Sequence, residues 1–204
     1  MHQNGLELLE KYFSFSNDER EKMRLFVDVL LEMNKKVNLI SRKDEAHIYE
    51  RHVLHSLAPG LFVDPAEYGK IMDGGTGGGF PGIPLAICYP YSEFVLVDSR
   101  RKKVEALSEI IKEMNLQNVR TLHSRIEDCK EKFDAAIFRA VAPLPKLVAW
   151  SRGRVHKRIW CLKGGDLREE TEGINYKVRQ MALSKYIEEA FFEEKYLLDV
   201  DLTT

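Results

Sequence analysis

Residues 73–82 read Asp73-Gly74-Gly75-Thr76-Gly77-Gly78-Gly79-Phe80-Pro81-Gly82, directly after the apolar pair Ile71-Met72. Five glycines between Asp73 and Phe80 leave almost no Cβ atoms, so bare backbone can approach a ligand and take up positive φ. Pro81 suits the first turn of a following helix, where its missing N–H is harmless. The carboxylate at the strand end suits a ligand that carries an ammonium group. A second carboxylate, Asp98, closes the next apolar run, Phe94-Val95-Leu96-Val97. It is placed to accept two hydrogen bonds from vicinal ribose hydroxyls. The chemistry implied is the binding of a nucleoside cofactor. The plainer readings are a glycine-rich surface turn and, for Asp98, a cap on the helix that starts at Ser99.

Two cofactor classes compete for this pattern. An acid closing the strand, followed by Gly75-x-Gly77-x-Gly79, is the arrangement used for S-adenosylmethionine. Gly77-x-Gly79-x-x-Gly82 also satisfies the dinucleotide fingerprint of an NAD-binding oxidoreductase, with Asp98 about 20 residues on as the ribose ligand. In that fingerprint the first glycine sits directly at the strand end, whereas Gly77 comes four residues after Asp73. A carboxylate there also repels a pyrophosphate from a helix N-terminus that otherwise favours anions. Both points favour S-adenosylmethionine. No Gly-Lys-Ser or Gly-Lys-Thr follows the glycines, which excludes a Walker-type phosphate loop.

The elements that must position these residues are legible in outline. Apolar residues at helical spacing run from 6 to 33, broken and capped at Ser16-Asn17-Asp18-Glu19. A third helix is expected over 44–57, with Ile48, His52 and His55 near one face. Beyond Pro59-Gly60 the pattern becomes strands at 70–73, 94–98, 119–123, 134–138 and 157–163, alternating with helices at 81–87, 100–114 and 144–151. Such alternation implies an α/β fold, a mainly parallel twisted sheet with helices on both faces. Segments 186–192 and 195–200 read as a closing hairpin with an antiparallel edge strand. The division expected is an N-terminal helical extension, 1–60, and a cofactor-binding domain, 61–204, forming one compact unit.

Ligands of open α/β sheets bind at the carboxyl ends of the strands. That rule gathers the glycine loop, Asp98, residues 124–128 and residues 139–143. Ile126 and Glu127 could frame an adenine, although an ordinary helical turn explains them equally. After the fourth strand stands Phe138-Arg139-Ala140-Val141-Ala142-Pro143. It contains neither the Asn/Asp-Pro-Pro-aromatic signature of exocyclic amino methylation nor the cysteine nucleophile of pyrimidine C5 methylation. A target with a free lone pair and no proton to lose, such as guanine N7, would need only alignment. Arg139 could hold a phosphate or a purine face there, or form a structural ion pair.

Composition narrows the class. The 204 residues are 44% apolar and 31% charged, which excludes disorder and a membrane protein. No apolar run reaches membrane-spanning length and the N-terminus lacks a signal peptide, so a cytoplasmic protein is expected. Cys88, Cys129 and Cys161 have neither disulfide nor zinc spacing and read as packing residues. The net charge of −1 conceals a basic stretch, with eight Lys or Arg against one acid between 139 and 168. Arg100-Arg101-Lys102-Lys103 forms a second cluster. Both could serve a polyanion or simply be solvated helix faces.

These residues together resemble the bacterial small-subunit rRNA guanine-N7 methyltransferases, also called glucose-inhibited division protein B. The resemblance is carried by Asn38-Leu39-Ile40-Ser41, Arg51-His52-Val53-Leu54-His55-Ser56-Leu57, residues 73–84, Val97-Asp98-Ser99, Ser124-Arg125-Ile126-Glu127, Arg139-Ala140 and Leu162-Lys163-Gly164-Gly165. It implies a Rossmann-like class I methyltransferase that uses S-adenosylmethionine to methylate N7 of a guanine in the decoding-region loop of 16S rRNA. It places cofactor contacts on Gly75, Phe80, Asp98, Ile126, Glu127 and Arg139, the last also positioning the reactants, and the motif spacing adds Asp73, Gly77 and Gly79. A splayed RNA loop exposes the N7 that an A-form groove hides. The expected phosphate contacts are Arg42, Lys43, Arg51, Arg152, Arg154 and Lys157, on naked 16S rRNA or the small subunit, by a monomer without a metal. The chain departs from the family at His55, where many relatives have Asp, and at Gly74 and Gly78, which are expected to loosen the loop. A non-enzymatic cofactor-sensing RNA-binding module is the other class the scaffold admits.

Overall fold

The computed structural model describes residues 2–203. Helices α1 (His2–Glu10) and α2 (Asn17–Asn34) open the chain. Between them Ser16 and Glu19 form a reciprocal cap, the Glu19 N–H donating to Ser16 Oγ and the Ser16 N–H to Glu19 Oε2. This satisfies two of the donors that a helix start leaves free. The expected single helix over 44–57 is instead three short pieces: a 3₁₀ turn (Arg42–His47), a π-helical turn (Tyr49–Leu54) and α3 (His55–Leu57). The wide turn sets His52 and His55 on the side of the glycine loop, and such turns recur at functional sites.

The sheet follows as β1 (Lys70–Gly74), β2 (Glu93–Asp98), β3 (Val119–His123), β4 (Phe133–Arg139), β5 (Val155–Gly164), β6 (Lys177–Ala182) and β7 (Lys195–Asp201). Its spatial order is β3-β2-β1-β4-β5-β7-β6. The first five strands run parallel and β7 lies antiparallel between β5 and β6. Helices α4 (Gly82–Cys88), α5 (Arg101–Glu113) and α6 (Leu144–Ser151) make the crossovers, and a short α7 (Arg168–Thr171) precedes β6. Period-two alternation divides the core. Ile71, Phe94, Leu96 and Ile137 face the N-terminal helices with Phe26, Leu30 and Leu107. Met72, Val95, Val97 and Phe138 face Leu144 and Leu147. The chain order reverses between β1 and β4, and their carboxyl ends form the crevice where ligands of such sheets bind.

The expected hairpin was misplaced. Residues 186–192 form no strand; a 3₁₀ turn at Ala190–Phe192 buries Phe192, and Ile187 is buried five positions earlier. Both side chains join the cluster that holds the N-terminal helices, a packing demand rather than a strand alternation. The true partner of β7 is Lys177–Ala182. Its Lys, Arg and Gln content hides a strand that has only one neighbour, where polar side chains are tolerated and discourage further pairing.

Candidate functional site

The glycine loop folds back onto β2. Gly75 and Thr76 donate N–H bonds to the Val97 carbonyl at 2.8 and 3.2 Å, and Gly79 and Phe80 donate to the Thr76 carbonyl. Gly77 has φ of +62°, which residues with a Cβ rarely adopt, and its N–H donates to Asp98 Oδ2 at 3.1 Å. Asp73 is fully buried beneath the loop. Its Oδ2 accepts from Thr76 Oγ1 at 2.6 Å and from the Gly82 N–H at 2.8 Å, while Oδ1 has no partner among the described residues. Burial pushes its pKa up to about 6, against the pull of those two hydrogen bonds. The start of α4 is therefore already capped by a carboxylate, with Pro81 at the cap position and Gly82 as the first helical residue. A pyrophosphate would meet that carboxylate, which removes the dinucleotide reading. Gly74 does not loosen the loop as expected: a Cβ there would sit 2.2 Å from the Phe138 ring, so its absence admits a core side chain.

Asp98 does two jobs at once. Oδ1 accepts from the Arg100 N–H at 2.8 Å, which sets the entry to α5, and Oδ2 holds Gly77. Beside it lies a cavity of about 280 Å³ lined by Gly75, Ser99, Ile126, Glu127, Val141 and Trp150, among others. Ile126 is buried and Glu127 half-exposed, in a turn after β3. That turn is held from behind by Arg154, whose guanidinium donates to the carbonyls of Cys129 (2.6 Å), Glu127, Trp150 and Arg152. Residues 75, 98, 126 and 127 thus line this cavity, Gly77 is tied to it through Asp98, and Asp73 lies buried beneath the loop.

A second cavity of about 630 Å³ adjoins the first through Gly75 and includes Asp44, Arg51, His52, His55, Phe80, Arg139, Lys163, Phe191 and Lys195 in its walls. Phe80 is its floor, packed edge-on to Phe26 at 5.2 Å between ring centres and carrying the Arg139 guanidinium 5.1 Å above its ring. Arg139 makes no ion pair within 4.0 Å among the described residues. It donates from Nη1 to the Arg51 carbonyl (3.2 Å) and from Nη2 to His52 Nδ1 (3.0 Å). Burial draws its pKa down to about 10, despite the attraction of Asp73 and Asp44. Burial and the adjacent Arg139 push the His52 pKa down to about 4, so the ring is neutral at physiological pH. His55 lies against Phe191 and Phe192 and is likewise neutral, its pKa held well below the usual range by burial, Arg139 and Lys195. Sequence reasoning gave Asp44, Phe191 and Lys195 no part in the site. The last two lie within the segments read as a hairpin, and Asp44 is joined to its neighbours only through the fold.

The candidate phosphate contacts separate into two groups. Arg42 lines a groove with Lys35, Lys36, Arg100 and Lys103 beside the glycine loop, and Lys43 is its exposed neighbour. Of these only Lys35 makes an ion pair among the described residues, with Glu32. Arg51 instead pairs with Asp44 at 2.9 Å. Arg152, Arg154 and Lys157 lie at the amino end of β5, the opposite end from Arg139, and Lys157 pairs with Asp134 at 3.0 Å. Burial pushes the thiols of Cys88 and Cys161 up to about 12, so neither is a nucleophile at neutral pH. No group of three or more His, Cys, Asp or Glu among the described residues could hold a metal ion, and no described helix is long and apolar enough to cross a membrane.

Strand order, glycine loop and paired acids define a Rossmann-like methyltransferase fold. A S-adenosylmethionine-dependent methyltransferase from Aquifex aeolicus superposes with a TM-score of 0.56 at 15% identity, covering 85% of this chain and 98% of that one. Sequence comparison narrows the class further. The chain belongs to the family described as rRNA small subunit methyltransferase G, whose model matches residues 19–195. The enzyme of that name from Christiangramia forsetii is 42% identical over 200 residues, covering 93% of this chain and 94% of its own. Its Bacteroides thetaiotaomicron counterpart is 40% identical over 199 residues, covering 93% and 97%.

Proposed function

We propose that this chain transfers a methyl group from S-adenosylmethionine to N7 of a guanine in 16S rRNA. The observation that carries the reading is Asp98, whose carboxylate ties the glycine loop to α5 at the mouth of the smaller cavity while keeping lone pairs free. The residues present fit the cofactor: Asp98 for a ribose, Ile126 and Glu127 for an adenine, and the bare backbone from Gly75 to Gly79 for the chain beyond. Asp73, with one oxygen unpartnered, supplies the negative charge that favours an ammonium group close by. When bound, S-adenosylmethionine supplies a methyl group on a positively charged sulfur.

Guanine N7 attacks with a ring lone pair and releases no proton, so a bond from N7 to carbon replaces the bond from sulfur to carbon without a base. The site matches that requirement. His52 is neutral but its Nδ1 is already occupied by Arg139, and Cys88 and Cys161 are protonated at neutral pH. The chain's contribution is alignment and exclusion of water, with Arg139 over Phe80 in the wall of the larger cavity. Arg42, Lys43 and the groove cations Lys36, Arg100 and Lys103 serve the RNA phosphates. The protein acts as a monomer on the small subunit or its RNA.

Deletion of the gene tests this. Mass spectrometry of 16S rRNA nucleosides should show one fewer N7-methylguanosine, restored by the wild-type chain and not by Asp98→Ala. A full complement of that nucleoside in the deletion strain would overturn the substrate assignment.

A further inference from the structure

His52 ends in a polar atom with nothing to bind. Arginine can only donate, so the 3.0 Å contact from Arg139 Nη2 makes His52 Nδ1 the acceptor and places the proton of the neutral ring on Nε2. That Nε2–H is buried and has no hydrogen-bond partner among the described residues. The nearest carboxylate oxygen, Asp44 Oδ2, is 3.7 Å away, too far for a good bond. Asp44 is oriented by Arg51, which donates to its other oxygen at 2.9 Å and leaves Oδ2 on the side of His52. Both groups line the larger cavity, the His52 side chain 12% exposed and that of Asp44 30%. A donor and an acceptor therefore stand side by side, 3.7 Å apart and with no close hydrogen bond between them.

We propose that Asp44 and His52 read the base edge of the target guanine, with His52 Nε2–H donating to O6 and Asp44 Oδ2 accepting from N1–H. This rests on the proposed guanine-N7 activity and adds the residues that select the base. Guanine presents an acceptor and a donor next to each other on that edge, in the order the pair can satisfy. The arrangement also fixes where N7 points. In guanine N7 lies beyond O6, away from N1. A base seated this way directs N7 past His52 toward Arg139 and the Phe80 end of the glycine loop. Adenine offers a donor at N6 and an acceptor at N1, and could satisfy the same two groups only with N6 on Asp44. Its N7 would then face Asp44, away from the loop. The same pair thus binds either purine but aligns only guanine for transfer.

The test uses small subunits reconstituted with 16S rRNA that carries either guanine or 2-aminopurine at the target. The analogue keeps N7 and the 2-amino group but lacks O6 and the N1 proton. Wild type should methylate guanine on the order of 100-fold faster or more, since a site built to hydrogen-bond a group rejects the analogue lacking it. Asp44→Ala should lose guanine activity and bring that ratio below about tenfold, with calorimetric affinity for S-adenosylmethionine within about threefold of wild type. Should Asp44→Ala fold poorly, Asp44→Asn keeps an acceptor for Arg51 while turning a donor toward N1–H, and should collapse the ratio in the same way. An undiminished ratio in either folded variant overturns the proposal while leaving the activity standing. No methyl transfer by wild type to the guanine subunits would take down both.

Discussion

Replacing Asp98 by alanine removes the carboxylate proposed to hold the cofactor ribose. Each carboxylate oxygen already holds one backbone N–H, from Gly77 at 3.1 Å and Arg100 at 2.8 Å, and each keeps a second lone pair for a ribose hydroxyl. Hydrogen bonds to a charged group contribute about 1.5–3 kcal/mol each. Two of them, partly offset by rehydration of the freed hydroxyls, come to on the order of 3 kcal/mol, or about 150-fold in Kd. The variant also frees two loop N–H groups, so the melting temperature should fall by a few degrees. Asp98→Asn retains one acceptor oxygen and should lose about half as much binding energy, on the order of tenfold in Kd. Calorimetric titration with S-adenosylmethionine and with its demethylated product is the assay. Both ligands must weaken alike, because the ribose is common to them and the methyl group is remote from Asp98. A folded Asp98→Ala whose Kd lies within threefold of wild type would refute the reasoning, as would loss of one ligand without the other.

Arg139→Ala leaves the Arg51 carbonyl and His52 Nδ1 unpaired but strips no ion pair, so it should cost about 1–3 kcal/mol of stability while methylation falls at least tenfold, about 1.4 kcal/mol; unfolding with normal residual turnover would make the arginine structural. Asp73 is protonated below about pH 6 in the free chain, and an ammonium-bearing ligand favours its ionised form, so affinity for S-adenosylmethionine should weaken on the order of tenfold from pH 7 to pH 5. Asp73→Asn should flatten that profile, and an equally steep one in the variant would exonerate the aspartate. By the same sign, the free chain's stability should decline as pH rises through about 6, since the buried group prefers its neutral form. Charge reversal of Lys36, Arg42 and Arg100 together should weaken subunit binding and shallow its salt dependence, whereas Arg154→Gln should loosen the 124–129 turn, lowering cofactor affinity with the salt slope unchanged. The opposite pattern in either variant would show that the two groups of cations had been misassigned.

The grouping of the glycine loop with Asp98 could be read from the sequence because these parts are local or sit at strand ends. Asp73 and the glycines are consecutive, and Asp98 closes a run whose apolar pattern marks a buried strand. The substrate half was hidden because it is made by distant contacts. Arg139 reaches His52 across 87 positions, and no periodicity records that pairing. Charge counting also could not show that Arg152, Arg154 and Lys157, at the start of β5, lie at the far end of the sheet from Arg139. Local patterning misread residues 186–192 for a related reason: their apolar positions answer to the N-terminal helices, not to a strand partner.

Incubating the purified chain with methyl-labelled S-adenosylmethionine and small subunits from the deletion strain, then identifying the labelled nucleoside, tests the central claim most directly. The account requires label in N7-methylguanosine, approaching one methyl per 16S rRNA and abolished by Asp98→Ala. Label in N1- or N2-methylguanosine, in another base, or in no nucleoside would contradict it.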